Sequence, residues 1–504
     1  MTTYTRNRTE IVNTCFANNL TITEVELLNN PWYNNSGERI FYNCRNLVKV
    51  SGLSDNITNL YAGFYNCVKL NSIDLPRNIV EMVDAFIYCN FINTPDLSKC
   101  TKLVNLFETF KGCTNLTTLP PVIPNSVENM DMTFTWCNKL SGTTHILSPK
   151  IIDVGVAFWG SYQKNIYIPF GNTATYRSFI SANYKTDGSV NGVYLKEDTT
   201  NFTSTGDWYH NRNNSTLCGY IGNDTNVTIP SSINELNTTV IAPLFFNNKD
   251  IVSVNYNNIP AENNSLSRAF YRCDNLSSVE NINPDITEMN YTFGYCTNLV
   301  NAPAIPNSVV NMNGTYVYCT NLVNAPSIPN SVVNMYQTFT GCTNLRNAPT
   351  IPNSVTNMYF AFNRCSRLVD APKLSNSVTS LGYTFGECSN LVNAPEIPNS
   401  VFQMSSTFMN CSSLVEAPII PDSVQRMSRT FFGCSSLTGN IFIQSNQINL
   451  ATQCFNNTSL IKNVYIPFKY ANGEYTTTYN TFISQGYDEI GTTNGVYLKD
   501  LNQL

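Results

Sequence analysis

Apolar residues recur along the second half of this chain at a fixed spacing of 23 residues. Each repeat contains a Cys, and five apolar positions lie at constant offsets from it: one holds Met or Leu, and the others hold Phe, Leu, Ile and Val. Asn, Ser and Thr fill most positions between them. The recurring cysteines are Cys273, Cys296, Cys319, Cys342, Cys365, Cys388, Cys411 and Cys434. Periods of 20–50 residues are typical of solenoids, whose coils are stable only when stacked on their neighbours.

One repeat reads approximately M-x-x-[TA]-[FY]-x-x-C-[TS]-x-L-x-x-A-P-x-[IL]-[PS]-[ND]-S-V-x-x. The segments V-x-x-M and L-x-x-A-P-x-I are short and extended in pattern, so each coil is expected to carry one or two brief strands. The segment IPNSV predicts a corner, because Pro fixes φ and Asn tolerates turns. The apolar slots are predicted to form a stacked core ladder of Phe293, Cys296, Leu299, Phe339, Cys342, Leu345, Phe362, Cys365, Leu368, Phe385, Cys388 and Leu391.

The first half follows the same pattern less regularly, and both halves end alike. Cys44, Cys67, Cys89, Cys113 and Cys137 are 23, 22, 24 and 24 residues apart. KNIYIPF at 164–170 returns as KNVYIPF at 462–468, and each copy is followed by Y-x-x-F-I-S and NGVYLK. This duplicated segment predicts a small α+β C-terminal cap made of a strand, a short helix and a closing strand.

The chain is therefore predicted to be two tandem arrays. The predicted parts are an N-terminal cap or docking segment (1–43), a first array (44–163), its C-terminal cap (164–198), a linker (199–216), a second array (217–461) and a second C-terminal cap (462–504).

The repeat resembles the BspA-type leucine-rich repeat. IPNSVxxMxxTFxxCTNL places Ile, Pro, Ser, Val, Phe, Cys and Leu in the order of that family's unit, over about 44–170 and 217–468. The resemblance implies a β-rich leucine-rich-repeat solenoid with roles in adhesion and recognition at cell surfaces. Similar arrays occur in fibre proteins of gut bacteriophages. Met in place of Ile and the Ala-Pro dipeptide depart from the family's pattern.

Composition narrows the classes of function. Charged residues make up 12% of the chain and the net charge is −5, against roughly 25% charged residues in ordinary domains. No basic block is present, which argues against nucleic-acid binding. No apolar run of membrane-spanning length occurs. The N-terminus has no apolar stretch of signal-peptide type, so we expect a route out of the cell other than ordinary secretion.

No catalytic, cofactor or metal site is predicted. His145 lies in the first array and His210 in the predicted linker, and no Cys or carboxylate stands near either at a recognisable spacing. Motifs for zinc, serine hydrolase or phosphate chemistry are absent. The 17 cysteines contain no C-x-x-C pair. A ladder of buried free thiols is therefore the preferred interpretation, with a metal or redox array as the alternative.

Aromatic and charged residues in the variable slots next to Met and Cys form the candidate ligand-facing surface. A Tyr stripe among Asn residues suits stacking on sugars and hydrogen bonding, because Tyr combines an apolar ring with a polar tip. The alternative is lateral packing along the solenoid. The candidate residues are Tyr291, Tyr295, Tyr318, Tyr336, Tyr359, Arg364, Tyr383 and Glu387.

Three non-enzymatic functions are consistent with the sequence. The first is a phage virion component, a tail or head fibre that binds a bacterial surface glycan or protein alongside other virion proteins. It would be made in the host cytoplasm and released by lysis. The second is an extracellular or cell-surface adhesin of a bacterium or protist, and the third is a purely structural virion or assembly protein. The sequence leaves open whether the chains form a homo-oligomer.

Overall fold

The computed structural model describes residues 3–4, 16–27, 35–161, 164–171, 173–212, 214, 216–233, 236–240, 243–458, 460–461, 463–493 and 495–503. The chain divides into two compact units, Met1–Gly222 and Asn223–Leu504. Each unit is built from a repeated coil with parallel bridges between successive coils. The predicted β-rich solenoid is confirmed.

In the segment between the Met and Cys slots, backbone N–H groups of each coil donate to carbonyl groups of the following coil, whereas elsewhere bonds run back, as from the N–H of Val310 to the carbonyl of Thr287 at 2.9 Å. In one coil, four alternate N–H groups donate to carbonyl groups of the following coil at 3.0, 2.7, 2.9 and 2.7 Å. The donors are Met289, Tyr291, Phe293 and Tyr295, and the acceptors are Asn311, Asn313, Thr315 and Val317. The following coil donates onward in the same way. Every second peptide group in this segment therefore points toward the C-terminal end of the array through its N–H.

This ladder requires a left-handed backbone at two positions of each coil. Tyr291 has φ 54° and Tyr295 has φ 62°. The same slots are left-handed in later coils, where they hold residues as different as Gly341, Arg364 and Glu387. A left-handed L-residue costs roughly 1–2 kcal/mol, and the regular bonds to the neighbouring coils offset this cost in every repeat.

The core lies inside the coil. All twelve residues of the predicted core ladder have no exposed surface. The aromatic rings stack face to face: Phe362 lies 5.4 Å from Phe339 and 5.7 Å from Phe385 between ring centroids, with interplanar angles of 12° and 6°. Stacking at one ring per coil makes the packing of each coil depend on both neighbours.

Buried polar side chains tie each coil to the preceding one. The thiol of Cys388 donates to the carbonyl oxygen of Phe362 at 3.1 Å, and the hydroxyl of Thr384 donates to that of Met358 at 2.8 Å. Equivalent bonds recur in neighbouring coils. Cys and Thr are small enough for the core and still satisfy carbonyl groups that face it.

The brief strands predicted for the regular coils are reduced to single bridges. One ladder of bridges joins Asn311, Asn334 and Asn357, and another joins Asn301 to Asn324. Pro303, two residues after Asn301, has no N–H with which to extend the second ladder.

Longer strands occur mainly toward the ends of the arrays. In the first unit, β1 to β4 form one parallel sheet, β5 to β8 another, and β9 to β11 are antiparallel. The strands are β1 (Thr3–Tyr4), β2 (Glu24–Glu26), β3 (Lys49–Ser51), β4 (Ser72–Ile73), β5 (Val122–Ile123), β6 (Gly142–Ile146), β7 (Lys164–Ile168), β8 (Val193–Glu197), β9 (Phe202–Thr205), β10 (Trp208–Asn211) and β11 (Thr216–Tyr220).

The second unit has parallel sheets in the orders β12-β16-β17 and β18-β19-β20, and β13 pairs with β14 in antiparallel fashion. Its strands are β12 (Asn226–Thr228), β13 (Ser232–Ile233), β14 (Leu236–Asn237), β15 (Thr239–Val240), β16 (Ser253–Asn255), β17 (Ser278–Glu280), β18 (Asn440–Phe442), β19 (Asn463–Ile466) and β20 (Tyr497–Asp500). Short 3-10 turns lie at Glu262–Asn264 and Leu501–Gln503.

Each duplicated segment forms a strand, a helix and a strand. Helix α1 (Ala174–Ser181) lies between β7 and β8, and helix α2 (Thr477–Ser484) lies between β19 and β20. Both helices begin after a Thr whose hydroxyl accepts a hydrogen bond from the backbone N–H three residues later, at 3.1 Å for Thr173 and 3.0 Å for Thr476. Thr is a favourable residue at this capping position.

The caps replace the carbonyl acceptors that a further coil would provide. In the first unit the hydroxyl oxygens of Thr175 and Tyr184 accept from the N–H groups of Ile151 and Phe158, at 2.9 and 3.2 Å. In the second unit Thr478 and Tyr487 accept in the same way from Ile448 and Phe455, at 2.9 and 3.3 Å. The two caps thus end their arrays by the same chemistry.

Two segments differ from the predicted division. Residues 199–216, predicted as a linker, contain β9 and β10 and the start of β11. Within 1–43, the described residues continue the first array: β2 pairs with β3, and the ring of Phe16 stacks on Phe41 at 4.9 Å. Neither segment shows the 23-residue pattern in the sequence. In 199–216 the aromatic residues of a hairpin replace the pattern. In 1–43 the position equivalent to the recurring Cys holds another residue. The remaining domain boundaries stay predictions.

Phe362→Ala is expected to destabilise the second unit by about 3–5 kcal/mol, because it removes a fully buried ring from between two stacked neighbours. Thermal unfolding followed by hydrogen exchange of each unit checks this. The first unit should keep its protection, and a variant that melts like the parent would show that the ring does not contribute to the core.

Tyr487→Phe is expected to cost about 1–3 kcal/mol, because the N–H of Phe455 would be left buried without its acceptor. Urea unfolding measures the loss. Tyr479→Phe is the control, since its hydroxyl contacts Glu489 at an exposed position. Equal stability of the two variants would exclude a capping role for the Tyr487 hydroxyl.

Candidate functional site

The two histidines contact different groups. The Nδ1 atom of His145 lies 3.7 Å from a carboxylate oxygen of Asp198, and its ring stacks on Tyr167 at 4.6 Å. His210 is buried in β10, with its Nε2 atom 2.9 Å from the hydroxyl of Thr205 and its Nδ1 atom 3.1 Å from the carbonyl oxygen of Asn211. The contact with Thr205 joins β10 to β9 through a side chain.

The 16 cysteines that the structure describes are free and buried. Burial raises the pKa of these thiols, to about 12 for Cys388 and Cys434, so they stay protonated at neutral pH. A protonated thiol is a poor nucleophile and a poor metal ligand. In the described part of the chain no group of three or more His, Cys, Asp or Glu residues is arranged to hold a metal ion.

The candidate tyrosines lie in the segment between the Met and Cys slots, on both sides of the buried Phe. They form two rows that run from coil to coil. The Met-side row contains Tyr291, Tyr336, Tyr359 and Tyr383, and the Cys-side row contains Tyr295, Tyr318, Arg364 and Glu387. All the tyrosines are partly buried, and Arg364 is exposed. The structure therefore places the candidates on one segment but not in one patch.

The Cys-side row is a connected stack. Tyr295 and Tyr318 stack at 4.9 Å with an interplanar angle of 24°. Arg364 reaches back two coils to donate to the hydroxyl of Tyr318 at 3.2 Å, and it pairs with Glu387 at 3.0 Å. The hydrogen bonds that Arg364 donates to Glu387 and to Tyr318 raise the pKa of its guanidinium. The row thus fixes ring faces and a guanidinium in defined positions.

The Met-side row is less continuous. Tyr336 and Tyr359 stack at 6.0 Å, and Tyr383 stacks on Phe360 at 4.5 Å. The hydroxyl of Tyr291 donates to the side-chain oxygen of Gln337 at 3.1 Å. Burial raises the pKa of Tyr291 and Tyr359, so both hydroxyls remain protonated hydrogen-bond donors at neutral pH.

Sequence reasoning missed residues that extend both rows. The ring of Tyr271 lies 5.3 Å from Tyr295 and 6.4 Å from Tyr291, so it joins the two rows at their N-terminal end. The guanidinium of Arg272 lies 5.4 Å from the ring of Tyr295. Tyr271 occupies a slot that holds Gly, Val or Thr in the next coils, and no pattern within the sequence marks it.

Glycine in one coil makes room for a tyrosine of the preceding coil. A Cβ atom at Gly341 would lie 2.5 Å from the ring of Tyr318, and one at Gly382 would overlap the ring of Tyr359. Each ring therefore leans over the following coil. The pairing of Tyr with Gly one repeat later is visible in the sequence and is the signal that would have identified these rings as packed along the array.

The structure shows the lateral packing of the tyrosines, and their ligand-facing role stays a prediction. The rings pack laterally, yet they remain partly exposed beside Arg364 and Glu387. Such a surface offers apolar ring faces, hydroxyl donors and one paired charge, which is the chemistry of recognition without covalent change.

Comparison with protein families decides the assignment. A model described as the BspA type leucine rich repeat region (6 copies) matches residues 3–117, 219–346, 267–391 and 359–482, well over half of the chain. The chain belongs to the BspA-type leucine-rich repeat family. Leucine-rich-repeat proteins of this kind are typically non-enzymatic scaffolds that mediate binding or adhesion to proteins or surface molecules. Comparison with curated proteins gave no match.

Solved structures with similarity to this chain include leucine-rich repeat proteins of bacteria. The leucine-rich repeat protein TpLRR of T. pallidum has 21% identity over 42% of this chain and 86% of its own, with a TM-score of 0.27. One from Bacteroides ovatus has 17% identity over 82% of both chains, with a TM-score of 0.23. A leucine rich cell surface protein from Faecalibacterium prausnitzii has 17% identity over 88% of this chain and 89% of its own, with a TM-score of 0.27.

Among the described residues, neither helix is long or apolar enough to cross a membrane.

The buried thiols are expected to resist Ellman's reagent in the native protein, because burial both shields them and raises their pKa. In guanidinium chloride all 17 cysteines should react. Rapid native reaction of most thiols would contradict a core ladder of cysteines. Addition of zinc serves as the control for the metal alternative and should leave the native reaction unchanged.

Proposed function

We propose that this protein is a non-enzymatic recognition protein that binds a bacterial surface glycan through the Cys-side row of its second unit. The observation that carries the proposal is the stack of Tyr295 and Tyr318, held beside the Arg364–Glu387 pair and still partly exposed. Positioned aromatic rings with hydrogen-bonding groups at their edges suit sugar rings, which have apolar faces and hydroxyl edges.

We further propose that the protein is a component of a phage virion, such as a tail or head fibre. This placement rests on the resemblance to fibre proteins of gut bacteriophages. A cell-surface adhesin of a bacterium or protist would use the same surface, and a purely structural virion protein would use the arrays only as spacers.

Tyr318→Ala is expected to weaken binding of the full-length protein to intact bacterial cells by roughly tenfold, because it removes one ring of the stack. Binding of fluorescently labelled protein across a panel of gut bacteria measures the effect. Tyr318→Phe keeps the ring but loses the hydrogen bond from Arg364, so its cell binding should be weaker than that of the parent and stronger than that of the alanine variant.

Val369→Ala is the matched control, because Val369 is an exposed residue of the coil that contains Arg364 but lies outside both rows. Equal cell binding by Tyr318→Ala and the parent would overturn the proposed site. If the parent still binds cells from which the glycans have been removed, and Tyr318→Ala still weakens that binding, then the ligand is a protein.

Mass spectrometry of purified extracellular particles against washed cell envelopes tests the virion placement. Enrichment in particles is expected. Enrichment in envelopes would overturn the virion role in favour of a cellular adhesin, and it would leave the binding test above unaffected.

A further inference from the structure

Arg272 extends the Cys-side row by one coil toward the N-terminal end of the second unit. It lies directly before Cys273, and its backbone is left-handed, with φ 60°, like that of the other residues in this slot. The same slot in the next four coils holds Tyr295, Tyr318, Gly341 and Arg364. The row therefore contains a second arginine in a position equivalent to that of Arg364.

The two arginines differ in their partners. Arg364 donates from Nε and Nη2 to the carboxylate of Glu387 at 3.0 and 3.4 Å, and from Nη1 to the hydroxyl of Tyr318 at 3.2 Å. The side chain of Arg272 contacts two rings instead: its Cζ atom lies 5.8 Å from the ring centre of Tyr271 and 5.4 Å from that of Tyr295. In the part of the chain that the structure describes, no carboxylate forms an ion pair with Arg272 and no side chain accepts a hydrogen bond from it.

The charged residues around Arg272 have other partners. The ammonium group of Lys249 lies 2.7 Å from the carboxylate of Asp274 and also donates to the carbonyl oxygen of Arg272 at 2.8 Å, so the acidic residue nearest in sequence is already paired. The carboxylate of Glu288, on the far side of the Met slot, accepts from two Asn side chains at 2.8 and 3.0 Å. The guanidinium of Arg268, in the same coil, lies 5.6 Å from a ring of the Met-side row and adds a second positive charge.

The rings hold Arg272 beside the tyrosine stack. Tyr271 and Tyr295 meet edge to face at 5.3 Å with an interplanar angle of 73°, and Arg272 contacts both. A Cβ atom at Gly294 would lie 2.8 Å from the ring of Tyr271, so this ring leans over the following coil. Arg272 itself is exposed. Ring contacts engage the charge of a guanidinium and leave its N–H donors for other acceptors.

We infer that the glycan bound at the Cys-side row is acidic and that Arg272 binds its carboxylate or phosphate group. The planar guanidinium donates to two oxygens of that group, which carboxylates and phosphates both present at a matching spacing. A neighbouring sugar ring of the same glycan packs on the stack of Tyr295 and Tyr318. Arg364 is less suited to this role, because its hydrogen bonds go to Glu387 and Tyr318. The inference rests on the glycan site proposed above and specifies the class of glycan that this site selects.

The test measures binding of the full-length protein to surface polysaccharide purified from the bacterial strain that the protein binds most strongly. One sample is untreated, one has its carboxyl groups reduced to alcohols, and one has its phosphodiesters cleaved with hydrofluoric acid. Loss of binding after one treatment is expected, and the treatment that causes it identifies the anionic group. Binding to the untreated sample should also weaken at high ionic strength, because salt screens exposed charges.

Arg272→Gln is expected to weaken binding to the untreated polysaccharide by roughly tenfold, because it removes a charge-assisted pair of hydrogen bonds. The treatment that abolishes the anionic group should then have little further effect on this variant. Arg272→Lys keeps the charge but not the planar fork, so it should retain part of the affinity. Arg346→Gln is the matched control, because Arg346 is an exposed arginine of the second unit that lies outside both rows. Unchanged thermal unfolding shows that each variant keeps the fold.

The inference is overturned if Arg272→Gln binds as tightly as the parent, or if both treated polysaccharides keep the affinity of the untreated one. Tyr318→Ala in the same assay separates this failure from failure of the proposed site. If Tyr318→Ala weakens binding and Arg272→Gln does not, the glycan site stands and its acidic ligand is wrong. If neither variant weakens binding, both proposals are overturned. If Arg272→Gln weakens binding only to cells from which glycans have been removed, Arg272 contacts a protein and the inference is again overturned.

Discussion

The hydrogen-bond ladder along the solenoid axis is the constraint on which the rest of the structure depends. Four alternate N–H groups of each coil must meet carbonyl groups of the next coil, and this fixes where the chain is left-handed. That geometry turns some side chains into the core and leaves others outside. Phe293 and Cys296 become buried, whereas Tyr291 and Tyr295 lie at the left-handed turns. The left-handed backbone of Tyr291 and Tyr295 is therefore a property of the repeat and not strain specific to a binding site.

Much of the fold could be predicted from the sequence, because stacked coils impose the same environment at the same offset every 23 residues. The Phe and Leu ladders and the duplicated caps follow from this. The bridges that replace the predicted strands could not be anticipated, since a single Pro such as Pro303 and the adjacent turns decide how far pairing extends. The polar composition of residues 199–216 predicts a linker, but Trp208 and Tyr209 are buried in a hairpin in this segment.

The candidate surface was less predictable than the core. Variable slots identify residues outside the core, but their exposure depends on what occupies the same slot one coil away. Tyr318 leans over Gly341, and Tyr295 is covered by Tyr318 itself. In the first unit, glycine follows both Tyr88 and Trp136, and the rings stay exposed. Pairs of residues one repeat apart therefore carry the information that single positions lack.

The ladder between the Met and Cys slots has peptide groups of one orientation, so their dipoles add along this segment of the array. A peptide group has a dipole of about 3.5 D, and dipoles aligned head to tail add up. The positive end of this ladder lies at the C-terminal cap, because the N–H groups of the ladder point that way. The capping hydroxyls of Tyr184 and Tyr487 present lone pairs to that end. A coil duplicated anywhere within an array would add to this field in the same sense, so an array of this kind can lengthen without new terminal chemistry.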